Sequence, residues 1–116
     1  MILVDTSVWV EHLRTGNKRL AQMLDATEVL CHPFVAGELA SGNLRARREI
    51  MELLEQLPAA PVVSHDEALH FLEAKTLQGQ GLGWMDVHFL ASAAISHAAL
   101  WSLDRRLAKA AAAVLI

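Results

Sequence analysis

The residues in this chain best placed to do chemistry are four acids. Asp5 directly follows the apolar run Ile2 to Val4, Glu38 falls within HPFVAGELASG, Asp86 within GLGWMDVHFLASAAI, and Asp104 directly follows the apolar run Leu100 to Leu103. Each adjoins a segment that must be buried, so its charge sits at an element's end or on a packed helix. Asp5 and Asp104 follow strands that should share one sheet edge, and Asp86 heads a helix entering from that edge. In an open parallel sheet, ligand crevices form outside the carboxyl ends of the strands. Carboxylates that converge there repel one another unless a cation or shared protons offset them, and an all-oxygen donor set suits Mg²⁺ or Mn²⁺ over zinc. Such a site suits phosphodiester hydrolysis, in which a bound cation acidifies water and offsets the charge on phosphate oxygens. Taken singly, each acid also has an ordinary structural reading: Asp5 and Asp86 as helix caps, Asp104 as the start of a turn, Glu38 as a solvent-facing residue. The coincidence of all four is what favours a site.

Positioning these acids requires a set of short elements. Ile2 to Val4 reads as a strand buried on both faces, and Asp-Thr-Ser then opens a helix carrying Val8, Trp9 and Leu13. Asn17 to Ala26 has Leu20, Met23 and Leu24 at helical spacing, and Glu28 to His32 is a second strand. Pro33 suits a helix's first turn, Glu38 lies within that helix, and Gly42 ends it. From Asn43 a stripe of Ile50, Leu53, Leu54 and Leu57 predicts a helix closed by Pro58 and Pro61. Pro61 to Ser64 reads as a short strand. His65 and Asp66 open a helix through Leu77, which QGQGLGW breaks; the helix headed by Asp86 follows. Leu100 to Leu103 is a strand, Arg105 to Ala113 an Ala-rich helix, and Val114 to Ile116 a last short strand. This alternation predicts an α/β protein, a three-layer α/β/α sandwich on a mainly parallel sheet with right-handed crossovers.

Composition narrows the partners. At 116 residues and 53% hydrophobic, one domain spanning residues 1–116 is expected, with a core that needs no disulfide. The longest uncharged stretch, Val87 to Leu103, is broken by His88, Ser92, Ser96, His97 and Ser102, which argues against a membrane span. A lone cysteine, Cys31, and no basic leader fit a cytoplasmic protein with a structural thiol. The net charge of −3 gives no simple basic-protein argument for nucleic acid. Nine of the ten basic residues nonetheless fall in three groups: Arg14, Lys18, Arg19; Arg45, Arg47, Arg48; and Arg105, Arg106, Lys109. They fit a phosphate-facing rim and solvated helix faces equally. The glycines at 79, 81 and 83 match no phosphate-loop pattern, the six histidines match no metal-binding spacing, and there is no GxSxG. Trp9 and Trp101 stand in apolar contexts expected of a core. Trp84, in the glycine loop, is the tryptophan placed to stack on a base.

The segments MILVDTSVWVEHLR, HPFVAGELASG, GLGWMDVHFLASAAI and LWSLDRRLAKAA together resemble the successive motifs of the PIN-domain ribonucleases, and within them the VapC-like toxins of prokaryotic toxin–antitoxin pairs. The resemblance spans nearly the whole chain. It implies a PIN sandwich and metal-dependent endonucleolytic cleavage of RNA. It also implies a cognate VapB-like antitoxin, a homodimer, and a Mg²⁺ or Mn²⁺ site formed by Asp5, Glu38, Asp86 and Asp104. Thr6 or Ser7 would supply the hydroxyl that steadies the metal shell, and Ser102 stands where the family usually has Thr. Two other readings compete. An aspartyl-nucleophile phosphatase would use Asp5, but residue 7 is Ser where such enzymes usually carry a second Asp. A PIN-like module that binds RNA or a partner without cutting would be expected to have lost one of the acids.

Overall fold

Ile2–Val4, strand β1, is the middle of a three-stranded parallel sheet, with β2 (Val29–Leu30) on one side and β3 (Ala99–Trp101) on the other. The computed structural model describes residues 1–115. Leu3 stands opposite Leu30 and Leu100, and Val4 opposite Trp101. Successive strand side chains point to opposite faces, yet Leu3 and Val4 are both fully buried, so helices cover the sheet on both faces. That is the expected three-layer α/β/α arrangement.

Helices α1 (Thr6–Thr15) and α2 (Lys18–Asp25) connect β1 to β2. Between β2 and β3 come α3 (Pro33–Ser41), α4 (Arg47–Gln56), α5 (His65–Ala74) and α6 (Trp84–Ile95); α7 (Arg105–Val114) follows β3. The main core gathers Leu3, Val4, Trp9, Leu20, Val35 and Phe89 around β1. Leu77, Leu90 and Leu107 form a second cluster beneath α7. Because β1 connects to β2 on one side while β3 pairs on the other, the order β2-β1-β3 makes the gap between the ends of β1 and β3 a topological switch point. Asp5 and Asp104 border that gap.

Several element boundaries differ from the sequence reading. Helix α4 begins at Arg47, not Asn43, because Ala46 adopts a left-handed conformation (φ 52°) that stops the helix from extending backward. Pro61 to Ser64 forms no strand. Pairing there is confined to a bridge between Cys31 and Ala59, with Ala60 N–H donating to Cys31 O at 2.9 Å, and Pro61 has no N–H to carry a ladder further. The helix opened by His65 stops at Ala74, where Thr76 turns to φ 54° and Leu77 N–H bonds back to Leu72 O. Helix α6 starts at Trp84, so Asp86 lies inside its first turn and does not head it. Strand β3 ends at Trp101, leaving Leu103 half-exposed. The expected strand over 114–116 is replaced, as far as Leu115, by the end of α7: the Ala-rich run carries the helix through Val114, and Ile116 lies outside the described residues.

Candidate active site

Asp5 is the best-held of the four acids. Its backbone N–H donates to Trp101 O at 2.9 Å, extending the β1–β3 pairing one step past the strand. Its carboxylate, only 7% exposed, then caps α1. Oδ2 accepts from Ser7 Oγ at 2.7 Å, from Ser102 Oγ at 2.8 Å and, more weakly, from Ser7 N–H at 3.4 Å. The same hydroxyls accept in turn: Ser7 Oγ from Leu103 N–H and Ser102 Oγ from Asp104 N–H, both at 3.0 Å. Two serines far apart in sequence thus orient Asp5 and fasten the chain after β3 to the chain after β1.

Asp104, the N-cap of α7, accepts through Oδ1 from Arg106 N–H at 2.9 Å and Leu107 N–H at 3.1 Å. Asp86 reaches back through Oδ2 to Gly83 N–H at 2.9 Å, closing the start of α6. Its carboxyl is pushed above the usual aspartate range by burial, and pushed further by the charges of Asp5 and Asp104, against the opposing pull of the Gly83 N–H. Asp5 and Asp104 thus lie close enough to Asp86 for their charges to act on it. Glu38, exposed on α3, joins the same rim through Thr6, whose Oγ1 donates to Glu38 Oε1 at 2.9 Å.

Each acid therefore has one oxygen held by a donor of the chain. The other (Asp5 Oδ1, Asp86 Oδ1, Asp104 Oδ2, Glu38 Oε2) accepts no hydrogen bond among the described residues. Capping by one oxygen of a carboxylate thus leaves its second oxygen open, so the two readings that compete when the sequence is read alone are compatible. Among the described residues, no three His, Cys, Asp or Glu side chains are drawn together closely enough to enclose an ion already. An all-oxygen set with pre-oriented free lone pairs fits a hard divalent ion such as Mg²⁺ or Mn²⁺. A groove of about 740 Å³ opens beside Thr6 and Glu38, walled by Val10 and Leu13 and edged by Arg14 and Arg45.

The basic groups separate on inspection. Arg47 spends its guanidinium on the end of α3, donating to Ala40 O at 2.6 Å and Gly42 O at 3.4 Å, and Arg19 lies 4.4 Å from the centre of the Trp101 ring. Arg14 and Arg45 remain at the groove. Arg106 lies across Gly81, whose missing side chain and φ of 77° leave room for it. His32 and His88 are packing residues, as expected, and His32 also caps α3, its Nδ1 accepting from Phe34 N–H at 2.9 Å. The His-Pro pair was the sequence signal for that cap, since Pro33 occupies the first helical position.

Comparison with known proteins agrees with this fold. The PIN domain family matches residues 2–113. Ribonuclease VapC32 of Mycobacterium tuberculosis, from strains CDC 1551 / Oshkosh and H37Rv, is 47% identical over 113 residues, covering 97% of this chain and 91% of its own length. FitAcB from Neisseria gonorrhoeae superposes with a TM-score of 0.67 at 23% identity, covering 97% of this chain and 94% of that one. FitAB bound to an IR36 DNA fragment superposes with a TM-score of 0.66 at 20% identity, over 100% and 94% of the two chains. At those identities the two structures speak for the fold.

Proposed function

The chain belongs to the PIN-domain family, and on that premise we propose that it is a Mg²⁺- or Mn²⁺-dependent endoribonuclease acting as the toxin of a VapBC-type toxin–antitoxin pair. The observation that carries the proposal is the placement of Asp5 and Asp104 at the β1/β3 switch point, in a chain 47% identical over 113 residues to a VapC ribonuclease. Asp5, Asp86, Asp104 and Glu38 would hold the cation through their free oxygens. A bound Mg²⁺ or Mn²⁺ supplies positive charge that favours ionisation of water and offsets the phosphate.

The chain's own groups do the rest. Ser7 and Ser102 fix the direction of the Asp5 carboxylate through Oδ2, leaving Oδ1 aimed as a ligand. Glu38 caps no helix, so its free Oε2 would complete that donor set from the rim, and water would attack phosphorus in line. That scheme passes through no covalent intermediate. Arg14, Arg45 and Arg106 stand where they can hold flanking phosphates of RNA.

The remaining parts of the reading follow from the family. A VapB-like antitoxin segment would cover the crevice, its apolar side chains in the groove of Val10 and Leu13 and an arginine among the carboxylates, where a bidentate guanidinium replaces the cation's charge. A homodimer follows from the family as well. RNA cleavage would take place in the cytoplasm. Among the described residues no helix is long and apolar enough to cross a membrane.

The test is cleavage of single-stranded RNA by the purified protein. Cutting is expected with Mg²⁺ or Mn²⁺, should stop with chelator and resume with excess metal, and should be blocked by the co-purified product of the adjacent gene. Persistent cutting by Asp86→Asn protein in excess chelator would overturn the proposal, as would an inhibited complex whose acids remain open.

A further inference from the structure

Trp84 is 39% exposed, whereas Trp9 and Phe89 are almost wholly buried, so this large ring has been left at the surface. It is nonetheless held in place. His88, one turn further along α6, stands perpendicular to it with centroids 5.0 Å apart, and His65 at the start of α5 lies 5.1 Å away at 51°. Behind His88 the row continues inward, to Phe34 at 5.3 Å and from there to His32 at 4.9 Å, which is fully buried. A file of aromatic rings therefore runs from the core to the surface and ends at an exposed indole whose orientation is set from within.

The placement of that file matters as much as its rigidity. Trp84 is in the same first turn of α6 as Asp86, and Phe34 lies one turn before Glu38 on α3. The row thus joins α3, which carries Glu38, to the start of α6, and its open end is two residues from Asp86. A pre-oriented indole presents a flat apolar face at little entropic cost, and aromatic stacking is how proteins hold single-stranded bases without reading their identity.

We infer that Trp84, braced by His65 and His88, is a stacking platform for one base of the RNA next to the cleaved phosphodiester bond. The inference rests on the nuclease reading. It adds that this site selects unpaired nucleotides and sets the register of the cut by stacking, since a base within a duplex cannot offer its face to the indole.

The test combines Trp84→Ala and Trp84→Phe with a labelled single-stranded RNA of mixed sequence, carrying one abasic nucleotide at successive positions around the cut. On intact RNA, Trp84→Ala should raise KM roughly tenfold with a smaller change in kcat, and Trp84→Phe should recover most of that loss. One abasic position adjoining the cut should impair the wild type comparably and leave Trp84→Ala no worse than before, because both changes remove the same contact. Equal KM for wild type and Trp84→Ala overturns the inference while leaving the nuclease reading intact. So does a loss in Trp84→Ala that no abasic position absorbs, which would mark a fold defect. Normal RNA cleavage with lost antitoxin inhibition would make the ring a protein contact and also overturn it. A wild type that cuts no RNA overturns the nuclease reading and this inference with it.

Discussion

Ser7 and Ser102 show how much of this site is carried by residues that need not touch a substrate. Each hydroxyl donates to Asp5 and accepts from the backbone after β3, so removing either one loosens a carboxylate and a loop together. Ser102→Ala should lower RNA cleavage and apparent Mn²⁺ affinity roughly 10- to 100-fold, the usual effect of losing a group that orients a metal ligand. Ser102→Thr, which keeps the hydroxyl, should retain most of both; metal titrations of cleavage rate for the two variants check this. At this scale the sequence was legible because the acids adjoin apolar runs and the serines adjoin the acids. The double duty of each carboxylate was not legible. Which oxygen faces a backbone N–H and which faces the crevice depends on side-chain rotamers and on contacts such as Ser102 to Asp5, made across 97 positions of chain.

Among the elements, the helix starts determine where the acids point. Asp5 and Asp104 cap α1 and α7, and Asp86 closes the first turn of α6, so three acids are anchored to helix N-termini where negative charge is favoured. His32 does the same work for α3 without charge. Burial, aided by the nearby His88, lowers its pKa from 6.5 to about 4, and its Nδ1 must stay unprotonated to accept from Phe34 N–H. The unfolded chain takes up this proton near pH 6.5 and the folded one only near pH 4, so stability is lost as pH falls between those values, by on the order of 2 kcal/mol. Asn also caps well, so His32→Asn should remove that part of the acid sensitivity while costing about 1–2 kcal/mol of packing at neutral pH. The difference between variant and wild-type denaturant midpoints from pH 7 to pH 4 isolates it; an unchanged difference would contradict the assignment. Element existence was readable from apolar periodicity, but boundaries at Ala46 and Pro61 turned on local backbone geometry. Nothing in the apolar pattern marks Ala46 as left-handed, and that pattern takes no account of the N–H that Pro61 lacks.

For the molecule as a whole, the central strand order places the ends of β1 and β3 side by side, with Asp5 and Asp104 just beyond them. The alternation of strands and helices was enough to predict the layers and the parallel sheet, and the order of four acids in four contexts was enough to suggest the family. The expectation that Asp5 and Asp104 share a sheet edge was legible from the alternation, whereas the order β2-β1-β3, which makes that edge a switch point, is contained in no local pattern. The account's central claim is that these acids converge on one divalent-cation site, and the most direct measurement is the denaturant midpoint at neutral pH and low salt, with and without Mn²⁺, for wild type and Asp86→Asn. Asn keeps the Gly83 contact and removes the repulsion, so without metal the variant should be more stable than wild type by a few tenths to about 1 kcal/mol, Asp86 being only partly buried. Added Mn²⁺ should stabilise the wild type in proportion to the logarithm of its concentration above Kd and leave Asp86→Asn nearly unchanged. A variant that is less stable than wild type without metal, or that gains as much from Mn²⁺, would show that Asp86 is a structural partner of Gly83 and no part of a shared cation site.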